Sequence, residues 1–177
     1  LAGLCLILIW AGAAARDSFD RWVASTTLPV LAHATAPEVR ARDGRLLRAY
    51  TVGDGTWRMA VSADAVDPRF FAMLLAYEDK RFWHHSGVDV RALIRAGVQA
   101  LRAGRVVSGG STLTMQVARL LEGSGTGSWA GKRRQIRVAL ALERRFDKAR
   151  ILDLYLHLAP YGGNIEGIRA ASLIWLV

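Results

Sequence analysis

Glu78-Asp79-Lys80-Arg81-Phe82-Trp83-His84-His85-Ser86-Gly87-Val88-Asp89 follows directly on an apolar run. In that run Phe70, Phe71, Met73, Leu74 and Leu75 have the spacing of a helix with one buried face. Asp67-Pro68 supplies its start, an N-cap carboxylate followed by a proline at the first helical position. Glu78 therefore falls at the end of the helix. Working outward, Asp89 caps a second predicted helix through Leu101, with Leu93, Ile94, Val98 and Leu101 apolar. Gly109-Gly110-Ser111-Thr112 then turns into a third, begun at Ser111 or Thr112 and striped by Leu113, Val117, Leu120 and Leu121. Residues 122–131 are rich in Gly and Ser and read as a mobile connection. Helices are predicted over 132–146, over 148–158 and from Asn164 onward. The fold class is mainly α.

Upstream the pattern changes. Residues 36–61 carry the turn signals Asp43-Gly44 and Gly53-Asp54-Gly55 between short runs, Arg45 to Val52 and Thr56 to Val61. These predict a small antiparallel β element. Residues 16–35, broken by Pro29, read as a linker or a short helix. Leu1 to Ala15 is almost wholly apolar and ends at Arg16-Asp17. It is shorter than the roughly 20 residues that span a bilayer. It reads as part of a transmembrane signal anchor, with a cleaved signal peptide ending near Ala13-Ala14-Ala15 as the alternative. Either reading puts the remainder, a body over 62–177, outside the cytoplasm.

The 177 residues suffice for one domain with a sizeable core. Lys and Arg number 24 against 15 Asp and Glu, a net charge of +9, which predicts anionic partners. Nucleic acid, an acidic membrane surface and a phosphorylated substrate all fit that charge; the apolar N-terminus disfavours nucleic acid. A lone cysteine, Cys5, excludes an intrachain disulfide and a cysteine-based metal site. A phosphate-loop NTPase fails on spacing, because Thr126 and Arg133 stand where Gly and Ser or Thr are required around Gly131-Lys132.

Glu78, where a buried helix emerges, is placed for partial desolvation, which raises a carboxylate's affinity for protons and makes a usable base. A solvated Glu paired with Lys80 or Arg81 is the plainer alternative. Gly109-Gly110-Ser111-Thr112 at a helix start offers backbone N–H groups and hydroxyls to an anion, or is merely a capped turn. Arg119, Lys132, Arg133 and Arg134 cluster positive charge nearby in sequence, either for a diphosphate or as a solvated basic face.

Two blocks, E-D-x-x-F-x-x-H-x-G-x-D from Glu78 and G-G-S-T-x-T-x-Q-x-x-R from Gly109, closely resemble the first two motifs of glycosyltransferase family 51, the peptidoglycan polymerases. Lys132 to Glu143 resembles the third motif, and Ile151 to Leu156 with Tyr161-Gly162-Gly163 the fourth. The resemblance covers roughly residues 36–174, and the wording around Thr112–Arg119 and Ala159–Gly163 is most similar to the penicillin-binding protein 1C subgroup. It implies a lysozyme-like helical glycosyltransferase domain. In it Glu78 would deprotonate an acceptor sugar hydroxyl, while Asp79, His85, Ser111, Thr112, Gln116, Arg119, Lys132 and Gln135 would serve the substrate. His85 is equally readable as a packed core histidine.

The implied donor is a glycan chain on an isoprenoid diphosphate and the implied acceptor is lipid II, joined β-1,4 with inversion. The bacterial cytoplasmic membrane and other cell-wall synthesis proteins are the remaining implied partners. A divalent cation, Mg²⁺ or Mn²⁺, commonly assists this family, but no self-contained ligand set is visible.

Departures from the pattern qualify the match. Gln135 replaces a usual Glu and removes any duty as base or metal ligand. Gly131 replaces a basic residue, and His157 stands where Asn is commoner. The chain reads as C-terminally truncated, and no Ser-x-x-Lys occurs, so no penicillin-binding nucleophile is present. Two other classes stay open: a lysozyme-like glycan cleaver, which would need Glu78 protonated, and a non-catalytic lipid-glycan binding or scaffold module.

Overall fold

The computed structural model describes residues 2–105, 109–123 and 128–176. The expected mobile stretch thus lies partly outside the described residues, at 124–127.

Helix α1 (Ala2–Ala24) runs unbroken from the apolar N-terminus through the predicted linker region, so residues 16–24 take the helical alternative. At about 1.5 Å per residue it is roughly 35 Å long, and it is long and apolar enough to cross a membrane. Leu6, Ile7, Leu8, Ile9 and Trp10 are all exposed on it, which water would not favour. Past Arg16 the helix docks on the body. Asp20 pairs with Arg144, and Arg137 donates to the Trp22 carbonyl.

Next come β1 (Glu38–Arg40) and β2 (Leu46–Ala49), an antiparallel pair. β3 (Trp57–Arg58) does not join them. It pairs in parallel with β4 (Ile165–Glu166), which occupies the start of the region predicted as the last helix. The register is held by Arg58, whose Nε and Nη2 both donate to Glu166 Oε2, Nε at 2.8 Å, and whose Nη1 donates to the Ala34 carbonyl at 3.1 Å. Only after Gly167 does the chain turn helical, as α7 (Ile168–Trp175). Local pattern could not reveal a pairing between segments so far apart.

The body is built on α2 (Pro68–Glu78), α3 (Val90–Ala103), α4 (Leu113–Glu122), α5 (Trp129–Arg145) and α6 (Lys148–Leu158). Capping explains all five starts. Asp67 accepts from the Arg69 N–H, Asp89 from those of Arg91 and Ala92, Thr112 from Met115, and Asp147 from Arg150. Ser128 caps α5, which therefore begins a turn earlier than predicted. α4 is the central element, packed on α5 and α6. Leu113, Met115 and Val117 are buried on it, against Leu142 of α5 and Ile151 of α6. Each such side chain contributes about 1.5–3 kcal/mol by leaving water.

α2 and α3 sit at the margin. Neither has a fully buried residue, and Met73, expected in the core, is exposed. Of the apolar residues noted on α3, Ile94, Val98 and Leu101 are exposed as well. His157 earns its place beside the usual Asn by geometry. Its Nδ1 lies 2.8 Å from the Asp153 carbonyl and its Nε2 accepts from the Val61 N–H, tying α6 to the segment after β3.

Gly87 has φ +94°, and a Cβ there would lie 2.7 Å from the Ala139 carbonyl oxygen. A Gly87→Ala variant is expected to lose about 2–5 kcal/mol of stability, from left-handed strain and from pushing α5 away. Thermal unfolding with an unchanged midpoint would contradict this close approach.

Candidate functional site

Glu78 ends α2, and its Oε2 accepts a 2.6 Å hydrogen bond from Gln116 Nε2 on the first turns of α4. Two adjoining pockets meet at Ser111. One, of about 250 Å³, is lined by Tyr77, Glu78, Lys80, Arg95, Ser111 and Thr112 among others. The second, of about 230 Å³, is lined by Ser111, Met115, Gln116, Arg119, Lys132 and Gln135. Glu78, Ser111, Gln116, Arg119 and Lys132 are thereby brought into one groove.

The second pocket is cationic. Lys132 Nζ donates to Ser111 Oγ at 2.6 Å and faces Gln135 Oε1 at 3.4 Å. Partial burial, and then the charge of Arg119, push the Lys132 ammonium below its usual range. Gln135 is buried beneath Lys132 and contributes an oxygen without a charge. No carboxylate lines this pocket among the described residues.

Three residues expected to serve the substrate, Asp79, His85 and Thr112, also hold the frame of the site, and Asp79 and Thr112 border the pocket beside Glu78. Asp79 and His85 are buried together, with His85 Nε2 donating to Asp79 Oδ2 at 2.9 Å. Because the Gly87 N–H donates to His85 Nδ1, the ring's proton resides on Nε2. The same Asp79 oxygen accepts the Leu113 N–H at 2.9 Å, so it caps α4 from another element. Thr112 is also buried; its hydroxyl donates to the Gly87 carbonyl at 2.6 Å while accepting from Met115 N. These side chains hold the Glu78 turn, the Gly87 turn and the start of α4 in one arrangement. Ser111 is the exposed hydroxyl of the pair.

Asp89 belongs to the same scaffold. Burial raises its proton affinity, yet the Ala92 and Arg91 N–H groups and the Arg81 guanidinium together hold its carboxyl below the usual range. Glu143, on α5, accepts from Thr114 and from Lys148, both at 2.6 Å.

The expectation of a desolvated Glu78 is corrected. Glu78 is exposed, as is Tyr77 before it at 90%. The reason is the rotation of α2: Leu74 and Leu75 pack on the core while Tyr77 and Glu78 fall on the exposed side. Tyr155 is the residue that sequence reasoning passed over. Burial raises its phenol's pKa and the Glu78 carboxylate adds to the shift, while Arg119 opposes it. A clue was available: Tyr155 interrupts the otherwise aliphatic stripe Ile151, Leu152, Leu154, Leu158.

The profile of the transglycosylase family matches residues 43–176, a span that holds both pockets and the buried network behind them. The chain belongs to the transglycosylase family. It is 46% identical over 157 residues to penicillin-binding protein 1C of Escherichia coli K12, covering 88% of this chain and 20% of that protein. Against penicillin-binding protein 1A of Aquifex aeolicus it is 37% identical over 140 residues, 79% of this chain and 19% of the relative. With the biosynthetic peptidoglycan transglycosylase of Thiobacillus denitrificans it shares 37% over 112 residues, 63% of this chain and 48% of that one. The chain thus spans about a fifth of the length of the two penicillin-binding proteins.

Proposed function

We propose that this transglycosylase polymerises lipid II into β-1,4-linked glycan, releasing an isoprenoid diphosphate with inversion. The observation that carries the reading is the juxtaposition, through the Glu78–Gln116 bond and Ser111, of an accessible carboxylate with a cationic pocket.

In this reading Gln116 fixes one oxygen of Glu78, and the other takes the proton of the acceptor's sugar hydroxyl. The hydroxyl oxygen forms the new bond at the donor's anomeric carbon as the bond to phosphate breaks. Both electrons of that bond leave on the diphosphate, which Lys132 and Arg119 neutralise. Because diphosphate so held departs as an anion, no strong general acid is needed. Glu78 begins exposed, so the arriving sugars would exclude water from it.

The divalent cation does not fit this pocket: its lining presents two cations and neutral oxygens, and no cluster of three His, Cys, Asp or Glu exists among the described residues.

A seat at the outer face of the bacterial inner membrane is supported by two surfaces. One is α1. The other is the exposed stripe Val90, Ile94, Val98 and Leu101 on α3, flanked by Arg91, Arg95 and Arg102, the pattern of a helix lying in an interface. Other cell-wall synthesis proteins would meet the enzyme there.

Incubating the chain with labelled lipid II tests the proposal. Glycan that a muramidase degrades supports it. Release of fragments from finished peptidoglycan, with no polymer made, favours a glycan cleaver instead. Binding of lipid II without turnover favours a lipid-glycan binding module. The pH profile gives a further check. Lys132 loses its proton earlier than an ordinary lysine as pH rises, so the polymerisation rate should fall earlier on the alkaline side. Lys132→Arg should move that limb upward. An alkaline limb identical in the two proteins would remove Lys132 from the pocket's chemistry.

A further inference from the structure

We propose that the cavity between the end of α1 and the first half of α5 is a second anion site, taking the phosphate head group of an acidic membrane lipid. It encloses about 580 Å³ and is lined by Trp22, Ser25 and Thr27 on one side and by Arg133, Arg134 and Arg137 on the other. That volume lies within the range of sites that hold small molecules.

Its charge is only partly matched by carboxylates. Arg134 is paired with Glu122. Arg137 is oriented by neutral groups alone: Nε donates to the Trp22 carbonyl at 3.0 Å and to Thr26 Oγ1 at 2.9 Å, and a terminal nitrogen donates to Ser25 Oγ at 3.0 Å. The guanidinium also lies over the Trp22 ring, 5.1 Å from its centre. Arg133 is exposed and has no carboxylate partner among the described residues. Two cations one helical turn apart repel each other unless an anion lies between them. Arginine forks beside hydroxyls match the oxygens of a phosphodiester.

Depth favours a lipid over a soluble anion. Arg133 and Arg137 occupy the same turns of α5 as Lys132 and Gln135, which face the pocket beside Glu78. If that pocket holds a lipid-linked diphosphate, those turns stand at head-group level, and this clause rests on the proposed function. Trp22 lies about 10 Å along α1 beyond Ala15, within reach of the head-group layer that flanks the roughly 30 Å hydrocarbon core.

The test is calorimetric titration of the detergent-solubilised chain with water-soluble dihexanoyl phosphatidylglycerol, dihexanoyl phosphatidylcholine and glycerol phosphate. The acidic lipid should bind about tenfold or more tightly than the choline lipid, as expected for one charge-assisted contact. Arg133→Gln should weaken it by a similar factor, and Lys132→Ala should leave it unchanged. Equal binding of the two lipids, or an indifferent Arg133→Gln variant, would overturn the site. Loss on Lys132→Ala would move the lipid to the pocket beside Glu78 and overturn it too. Glycerol phosphate binding as tightly as the acidic lipid would replace the lipid by a free phosphate. None of these readings involves polymerisation, so the site and the proposed activity can fail separately.

Discussion

Glu78→Gln should lower the rate of lipid II polymerisation by about 10²–10⁴-fold, the range in which a positioned general base acts. Glutamine keeps the shape and can still accept from Gln116 Nε2, but it takes no proton at neutral pH. Since Glu78 is exposed and its only described side-chain partner is Gln116, the variant should fold and melt like the parent. Lipid II binding should be kept, because the cations of the adjoining pocket are untouched. Turnover within a few-fold of the parent would eliminate Glu78 as the base and with it the mechanism proposed above.

Asp79→Ala should act by a different route, through stability. One oxygen of Asp79 accepts from both His85 Nε2 and the Leu113 N–H, with the two side chains only 4% exposed. Removing it strands two buried donors and takes an anion from the positive end of α4. A loss of about 3–5 kcal/mol is expected, as for other broken buried pairs. Asp79→Asn should be milder, since an amide oxygen placed where Oδ2 lies can still accept from both donors and only the charge beside the start of α4 is lost. Chemical denaturation measures both. Full stability with lost activity would mean that Asp79 touches substrate after all, contrary to its burial.

Together these two variants separate the chemistry from its frame. Glu78 and Asp79 are adjacent in sequence, yet one faces the groove and the other faces inward. The backbone leaves helical geometry at Asp79, the C-cap of α2, which turns its side chain toward α4.

Much of this was readable from residue order. Caps at Asp67, at Asp89 and at Ser111 or Thr112 announced their helices because a short polar side chain answers N–H groups only two or three residues on. The helical class and the family resemblance rested on patterns of that local kind. The exposure of Glu78, the orphan stripe on α3 and the burial of Thr112 beside exposed Ser111 were not readable. Apolar spacing says that a face avoids water without saying what covers it.

What the sequence alone determined was therefore the helices of the body, the starts of α2, α3, α4 and α6 and the residue types of the groove, all set by interactions spanning a turn or two. Tertiary structure alone decided that β3 pairs with β4, that Asp79 caps a helix begun at Leu113, and that Arg137 meets Trp22. Those contacts join segments distant along the chain. They form only once burial of the α4, α5 and α6 faces has brought the segments together.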